Sequence, residues 1–474
     1  MKRNKLAFLF IATTCMTLCT GCPKDNRTVL EKLRDCKDIT KVRTVREFKD
    51  SNEAYELIFT VPLDWEDKTK GTFPLRVLLQ VEDQSYKNLV VVTEGYNIDN
   101  YYYSYNDDDE ISNIIDANVC HIEHRFFGES TPEDMSYLGT KYWEYLTIKN
   151  AAQDENYVIK TLRKVFKGKF AATGYSKCGE TTNQLAYFYP KACDFYVPMV
   201  APFCESISDG RYLDYMYNHA YESYYGVEEA KKVRKVFEDF EVKAIQYEES
   251  VIQCLIDDFE VDPIYKKYYT MYYEYSVMTN RIGYWQYNQN YHLFEELLDT
   301  IEWNEENGLD STDIFVQTFF GVSAPKVSPA PEGDPMFPFY VMAIKEQGYL
   351  KATMDYIQGF INDRGLDFKT TTTNEELENP LKFFTLSYEQ EDAIKEDRTE
   401  FEKMRNLYDV TNCKILSITA QEDPWNYVRM KDPDTPRKNV HTYVAPHQCH
   451  NLSIEAMDLE MHNEIVDILI EWSK

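Results

Sequence analysis

Past residue 18 the chain has no apolar run approaching the ~20 residues that a membrane-spanning helix needs, so membrane attachment through its body is not expected. Beyond residue 22 no C-x-x-C pair occurs, which argues against a structural zinc site. No metal or other cofactor is expected. Basic residues are in the minority: 51 Lys+Arg stand against 80 Asp+Glu, a net charge of −29. Such a surface repels phosphate backbones and excludes nucleic acid as a partner. The same acidity keeps a protein soluble, and it would also draw in cationic ligands such as peptide N-termini. Internal repeats and low-complexity tracts are absent, which excludes solenoid and propeller architectures.

What is present is enough for a large core. The 474 residues suggest roughly two to three domains. Hydrophobic residues make up 43% and aromatics 15%, with 38 Tyr, which suits wide half-buried surfaces such as a cleft or a cap interface. Lys2, Arg3 and Lys5 precede an apolar stretch, Leu6 to Leu18, and then Cys19-Thr20-Gly21-Cys22. This reads as a signal peptide over 1–22 with a lipobox-like end, making Cys22 the lipidated residue of an exported lipoprotein of the periplasm or outer membrane. An ordinary cleavage near Gly21 is the alternative. Eight cysteines follow the signal, and their pairing cannot be read from spacing.

Residues 23–50 are polar and read as a tether with an N-terminal helix. Short runs rich in β-branched residues follow: Tyr55–Val61, Leu75–Val81, Asn88–Thr93 and Val119–His124. Apolar residues between 141 and 166 recur at helical spacing. Phe170–Gly174 reads as a buried strand, Ser176 to about Tyr189 as a helix stopped by Pro190, and Phe195–Val200 as a strand. This rhythm predicts a parallel sheet with helical crossovers. It is lost from about 206 to 400, where Tyr, Glu and Lys dominate at helical periodicity, with a Pro-rich loop at 322–336, a helix near 337–358 and a loop at 370–379. Strands return at Lys414–Thr419 and Asn439–Val444, and an amphipathic helix over 452–473 closes the chain. The expected fold is α/β: an α/β-hydrolase core over 51–205 and 401–474, its sheet mainly parallel, with an inserted all-helical cap over 206–400.

Gly174-Tyr175-Ser176-Lys177-Cys178-Gly179 places a serine on a predicted strand-to-helix turn, where a sharp bend would expose its hydroxyl. A serine hydroxyl is a poor nucleophile, so it needs a base, and the base needs an orienting carboxylate. In this fold the chain order is Ser, acid, His. Asp423 follows the strand at 414–419, with Glu422 as its neighbouring decoy. After the last strand come His447 and His450, both candidate bases, with His450 favoured by loop reach. The metal alternative, His441, His447, Cys449 and His450, lacks the usual helical two-histidine spacing. The oxyanion hole should use the backbone N–H of Lys177 and, from the turn Glu94-Gly95-Tyr96, that of Tyr96.

These residues resemble a known family. Thr93-Glu-Gly-Tyr96, Glu123-His-Arg-Phe-Phe-Gly-Glu-Ser130 with Pro132, Gly174-Tyr-Ser-Lys177 with Gly179 and Thr181, Asp423-Pro-Trp425, and His450 with Ile454 are similar to the S37 serine peptidases, and more distantly to the S28 peptidases. Lys177 after the serine favours S37. The resemblance spans about 50–205 and 405–474. It implies an α/β-hydrolase core with a helical cap, no cofactor, and release of tri- or tetrapeptides from free peptide N-termini, often after proline. Cys178 departs from the family's usual glycine, which makes the elbow geometry the point to examine. An aminopeptidase must also hold a free α-ammonium, which a half-buried carboxylate does well. Glu94 and Glu123 are the candidates; the alternative for Glu123 is a structural ion pair with Arg125 or another strand-end partner. The rival functional readings are an esterase or lipase on the same triad, and a non-catalytic peptide-binding lipoprotein.

Overall fold

The structure is a computed structural model, and it describes residues 27–45, 53–98, 110–135, 141–258, 262–287, 290–321, 336–377 and 394–474. The segment read as a signal peptide, Cys22 and the Pro-rich stretch at 322–335 lie outside them. Nine strands form one sheet in the order β1-β2-β3-β5-β4-β6-β7-β10-β11. They are β1 (Ile39–Val45), β2 (Glu53–Pro62), β3 (Thr72–Val81), β4 (Asn88–Thr93), β5 (Ala117–Ile122), β6 (Phe170–Tyr175), β7 (Phe195–Met199), β10 (Lys414–Ala420) and β11 (Val440–Ala445). From β5 to β11 every pairing is parallel; β1, β2 and β3 form an antiparallel wing that meets β5. The mainly parallel sheet is the one that the strand rhythm predicts, and it forms an α/β-hydrolase core.

The parallel strands β5 and β7 are buried along their whole length, as a sheet covered on both faces requires. Helices α1 (Val29–Arg34), α2 (Glu110–Ile115), α3 (Ile148–Leu162) and α4 (Lys177–Phe188) belong to the core. Helix α4 ends where expected: Tyr189, before Pro190, adopts a non-helical conformation at φ −133°, ψ 65°. Expectation and structure part at the N-terminus. The N-terminal helix read there is present as α1, opened by a Thr28–Glu31 capping box, but the same segment also supplies the edge strand β1, which was not expected. Its charged residues mask strand alternation, and pairing with β2 creates the strand.

The inserted cap carries α5 (Glu222–Tyr225), α6 (Val227–Gln246), α7 (Glu248–Asp258), α8 (Lys266–Tyr287), α9 (His292–Glu306), α10 (Thr312–Phe320), α11 (Phe337–Met342), α12 (Asp355–Asp363) and α13 (Asn374–Leu377). It has its own core, in which Phe237, Phe240, Tyr273 and Trp285 are buried. It is not all-helical: β8 (Ser208–Asp209) and β9 (Tyr349–Leu350) pair in parallel at its base. The helix expected over 337–358 is broken there, after a π-turn at Ala343–Gln347 and Gly348 at φ 85°. At Gly348 a Cβ would sit 2.6 Å from the Ser206 carbonyl, so only glycine lets the two segments meet. The loop expected at 370–379 contains the short α13, and the C-terminal helix starts at Leu459 rather than 452. Among the described residues no helix is long and apolar enough to cross a membrane, and the eight cysteines from Cys36 to Cys449 are free thiols.

Candidate active site

Ser176 stands between β6 and α4 at φ 58°, ψ −126°. A residue with a Cβ seldom occupies that region, and the strain turns the chain sharply so that the side chain stands off the strand end. Neighbouring contacts enforce it. The Ser176 N–H donates to the Met199 carbonyl at 2.9 Å, and the Ser176 carbonyl accepts from Glu180 N–H at 3.0 Å. Gly174 and Gly179 supply the clearance, since a Cβ would lie 2.5 Å from the Cys178 backbone in one case and 2.7 Å from the Met199 carbonyl in the other. Cys178 does not disturb the elbow, because its thiol accepts from Gly95 N–H at 3.2 Å and points to Glu94 Oε2 at 3.4 Å. Burial and the nearby Glu94 carboxylate push that thiol well above its usual pKa, so it stays neutral.

Asp423 and His450 follow the parallel neighbours β10 and β11, at the same sheet edge as Ser176. His450 Nδ1 lies 2.7 Å from Asp423 Oδ2, with both side chains buried. Asp423 also accepts from Trp425 N–H at 3.1 Å. Burial pushes the Asp423 carboxyl up, while His450 and the Trp425 N–H hold it down. His447, the other candidate base, is exposed in a left-handed conformation at φ 59° with its ring edge-on to Tyr224. The structure therefore brings His450, and not His447, to Asp423. Glu422, one residue away, faces the cap: it accepts from Tyr215 Oη (2.8 Å), Tyr221 N–H (2.9 Å) and Ser223 Oγ.

The turn after β4 is held from three sides. Glu94 N–H donates to the Ile122 carbonyl, Gly95 N–H to Cys178 Sγ, and Ile98 N–H to Glu123 Oε1. His124 N–H takes the Tyr96 carbonyl at 3.1 Å. The Tyr96 N–H has no acceptor among the described residues. Gly95 presses on Lys177: a Cβ there would lie 2.8 Å from Lys177 Cγ. Lys177 N–H is in the first turn of α4, where helix donors lack partners within the helix. Its side chain folds back, buried, with Nζ 5.4 Å from the Tyr96 ring and 5.9 Å from that of Phe127. Burial lowers the Lys177 pKa, and Glu180 opposes the shift. Phe339 of α11 packs on Tyr96 at 5.8 Å, and Tyr287 of α8 stands edge-on to His450 at 5.4 Å, so aromatic cap residues border the site.

The two carboxylates expected to hold a substrate ammonium are not open to one. Glu94 Oε1 sits 2.8 Å from His121 Nδ1, buried beneath the elbow. Glu123 is 1% exposed; it pairs with Arg76 at 2.8 Å and accepts from Ile98 N–H, Glu129 N–H and Ser130 Oγ. Arg125 is engaged elsewhere, in a bidentate pair with Asp154 and on the carbonyls of Leu63 and Tyr145. The segment Glu123–Ser130 is thus a brace beneath the site, tightened by Gly128 at φ 51°, where a Cβ would lie 2.4 Å from Glu123 Oε1. The alternative read from the sequence for Glu123, a structural ion pair, is the one the structure shows, with Arg76 of β3 as the partner rather than Arg125.

The family model for PS-10 peptidase S37 matches residues 44–303, more than half of the chain. The chain belongs to the S37 peptidase family. The matched span contains Ser176 but neither Asp423 nor His450, which rest on the geometry above. This S37 peptidase is 33% identical over 147 residues to the prolyl tri/tetrapeptidyl aminopeptidase of Streptomyces mobaraensis, covering 31% of the chain and 28% of that protein. The match thus spans under a third of that relative. Solved structures with similarity to it include acetyl xylan esterase 1 from Thermoanaerobacterium sp. JW/SL YS485 (TM-score 0.34, 9% identity, covering 94% of this chain and 92% of that one). Another is the proline iminopeptidase of Mycobacterium smegmatis (TM-score 0.33, 10% identity, covering 91% and 99%).

Proposed function

We propose that this S37 peptidase is an exported serine exopeptidase that releases tri- or tetrapeptides from free peptide N-termini, after proline, through Ser176, His450 and Asp423. The observation that carries the reading is the buried His450–Asp423 pair at 2.7 Å on the same sheet edge as a serine in a strained elbow. His450 takes the Ser176 proton as Oγ attacks the scissile carbonyl, and Asp423 holds the imidazole in the required tautomer. The tetrahedral oxyanion is held by the N–H groups of Lys177 and Tyr96. His450 then protonates the leaving amine, and water hydrolyses the acyl-enzyme by the same route. The rings of Tyr96, Phe339 and Tyr287 suit the apolar pyrrolidine of a proline side chain. Lipidation at Cys22 would anchor the enzyme at a membrane surface; radiolabelled palmitate incorporation that survives Cys22→Ser would remove that part.

The test combines two substrates and one probe. A fluorophosphonate should label the wild type and not Ser176→Ala. Peptidyl-prolyl amides with a free N-terminus should be cleaved about tenfold or more faster than N-acetylated ones, the value of a charged hydrogen bond. Equal labelling of Ser176→Ala would remove the nucleophile, and equal cleavage of free and blocked peptides would remove the exopeptidase.

A further inference from the structure

Resting on that triad, we infer that the cap is a working part of the acid–base pair: Tyr221 and Glu422 are positioning residues that tie Asp423 and His450 into one closed hydrogen-bonded circuit with the end of helix α8. The circuit can be walked residue by residue. Asp423 is bonded through the backbone to Glu422. Glu422 Oε2 accepts from the Tyr221 N–H at 2.9 Å. The Tyr221 hydroxyl donates to the Trp285 carbonyl at 2.6 Å. Trp285 is followed by Gln286, whose carbonyl accepts from the His450 N–H at 3.0 Å. His450 Nδ1 closes the ring on Asp423 at 2.7 Å.

Several features mark this circuit as built rather than incidental. Tyr221 is fully buried and held at φ 62°, a conformation that a residue with a Cβ rarely takes. Its ring lies against Trp285 with centroids 4.8 Å apart. Glu422 collects two further cap donors, Tyr215 Oη and Ser223 Oγ, and its own N–H holds the Gln448 carbonyl at 2.9 Å, two residues before His450. The carbonyls of Trp285 and Gln286 are in the last turn of α8, where they lack acceptors' usual partners within the helix and are free for these donors. The imidazole is thus located from two directions, by Asp423 through its ring and by α8 through its backbone. A small displacement of the cap would move the base away from Ser176, and a shift of about 1 Å in such a pair costs on the order of 10²-fold in rate.

The experiment uses the full-length enzyme and reads kcat, KM, the fluorophosphonate labelling rate of Ser176 and the melting temperature. Tyr221→Phe keeps the ring and the backbone N–H and removes one hydroxyl. It should lower kcat and the labelling rate together, by about five- to tenfold, the equivalent of one buried hydrogen bond, with KM nearly unchanged. Tyr212→Phe is the control. That buried cap tyrosine makes a comparable bond, 2.7 Å to the Lys351 carbonyl, outside the circuit, so it should lower the melting temperature and leave the labelling rate as in wild type. Glu422→Ala should exceed Tyr221→Phe in its loss, and Glu422→Gln, which keeps an acceptor for Tyr215 and Tyr221, should recover most of it. Wild-type labelling by Tyr221→Phe and Glu422→Ala would overturn the inference, as would equal losses in Tyr221→Phe and Tyr212→Phe. Persistent labelling of Ser176→Ala would instead overturn the triad itself.

Discussion

Glu123→Gln separates a brace from a binding site. In the structure the Glu123 carboxylate takes four donors: Arg76 and Ile98 N–H on Oε1, Glu129 N–H and Ser130 Oγ on Oε2. Glutamine has one oxygen. Its best orientation keeps Arg76 and Ile98 and turns the amide towards Ser130, whose hydroxyl can reverse and accept. The Glu129 N–H then faces a donor, and Arg76 loses its buried counter-charge. Removing one partner of a buried pair costs ~3–5 kcal/mol. Arg76 retains the Ile98 carbonyl and the more exposed Glu129 carboxylate, which puts the expected cost at the lower end, about 3 kcal/mol. At roughly 2–4 °C per kcal/mol, the melting temperature should fall by about 6–12 °C. Scanning calorimetry measures that, and kcat/KM on free and N-acetylated peptides completes the assay. Because Glu123 does not touch substrate, any loss of activity should fall equally on both peptides. An unchanged melting temperature with a loss confined to free N-termini would refute the reasoning and make Glu123 the ammonium site.

Two further outcomes are expected. His450→Ala should abolish fluorophosphonate labelling of Ser176 while His447→Ala keeps most of it, since only His450 meets Asp423; the reverse result would move the base to His447. Stability should fall as pH rises from about 4.3 to about 8, because burial, with the charge of Glu274, pushes Glu248 up to about 8. Glu248 faces Glu274, Glu249 and Thr371, and Glu274 in turn holds Thr372 N–H. The folded protein keeps a proton there that the unfolded chain releases near pH ~4.3, so the contribution is present below that pH and is lost as pH rises through about 8. Melting temperatures of wild type and Glu248→Gln between pH 5 and 9 check this; a slope that Gln leaves unaltered would refute it.

Much of the core was legible because its signals are local. The runs Asn88–Thr93, Phe170–Gly174 and Lys414–Thr419 are β-branched or small and apolar, and each became a strand of the central sheet with its bounds shifted by at most a residue or so. The serine turn was legible because its glycines stand where backbones must nearly touch. Chain order then pointed to Asp423 and to the pair His447 and His450. Tertiary structure decided the rest, because a side chain's partners lie far off in sequence. Glu94 and Glu123 looked like cleft carboxylates until His121, Cys178, Arg76 and Ser130 were seen to occupy them. Glu422 looked like a decoy, yet its partners are cap residues about two hundred positions away. His450 was separated from His447 by burial and by a bond to α8, and β1 became a strand only by pairing with β2. Periodicity and turn chemistry are written residue by residue; the partner that a buried charge needs, and which of two neighbouring side chains is turned towards it, are set only when distant segments pack.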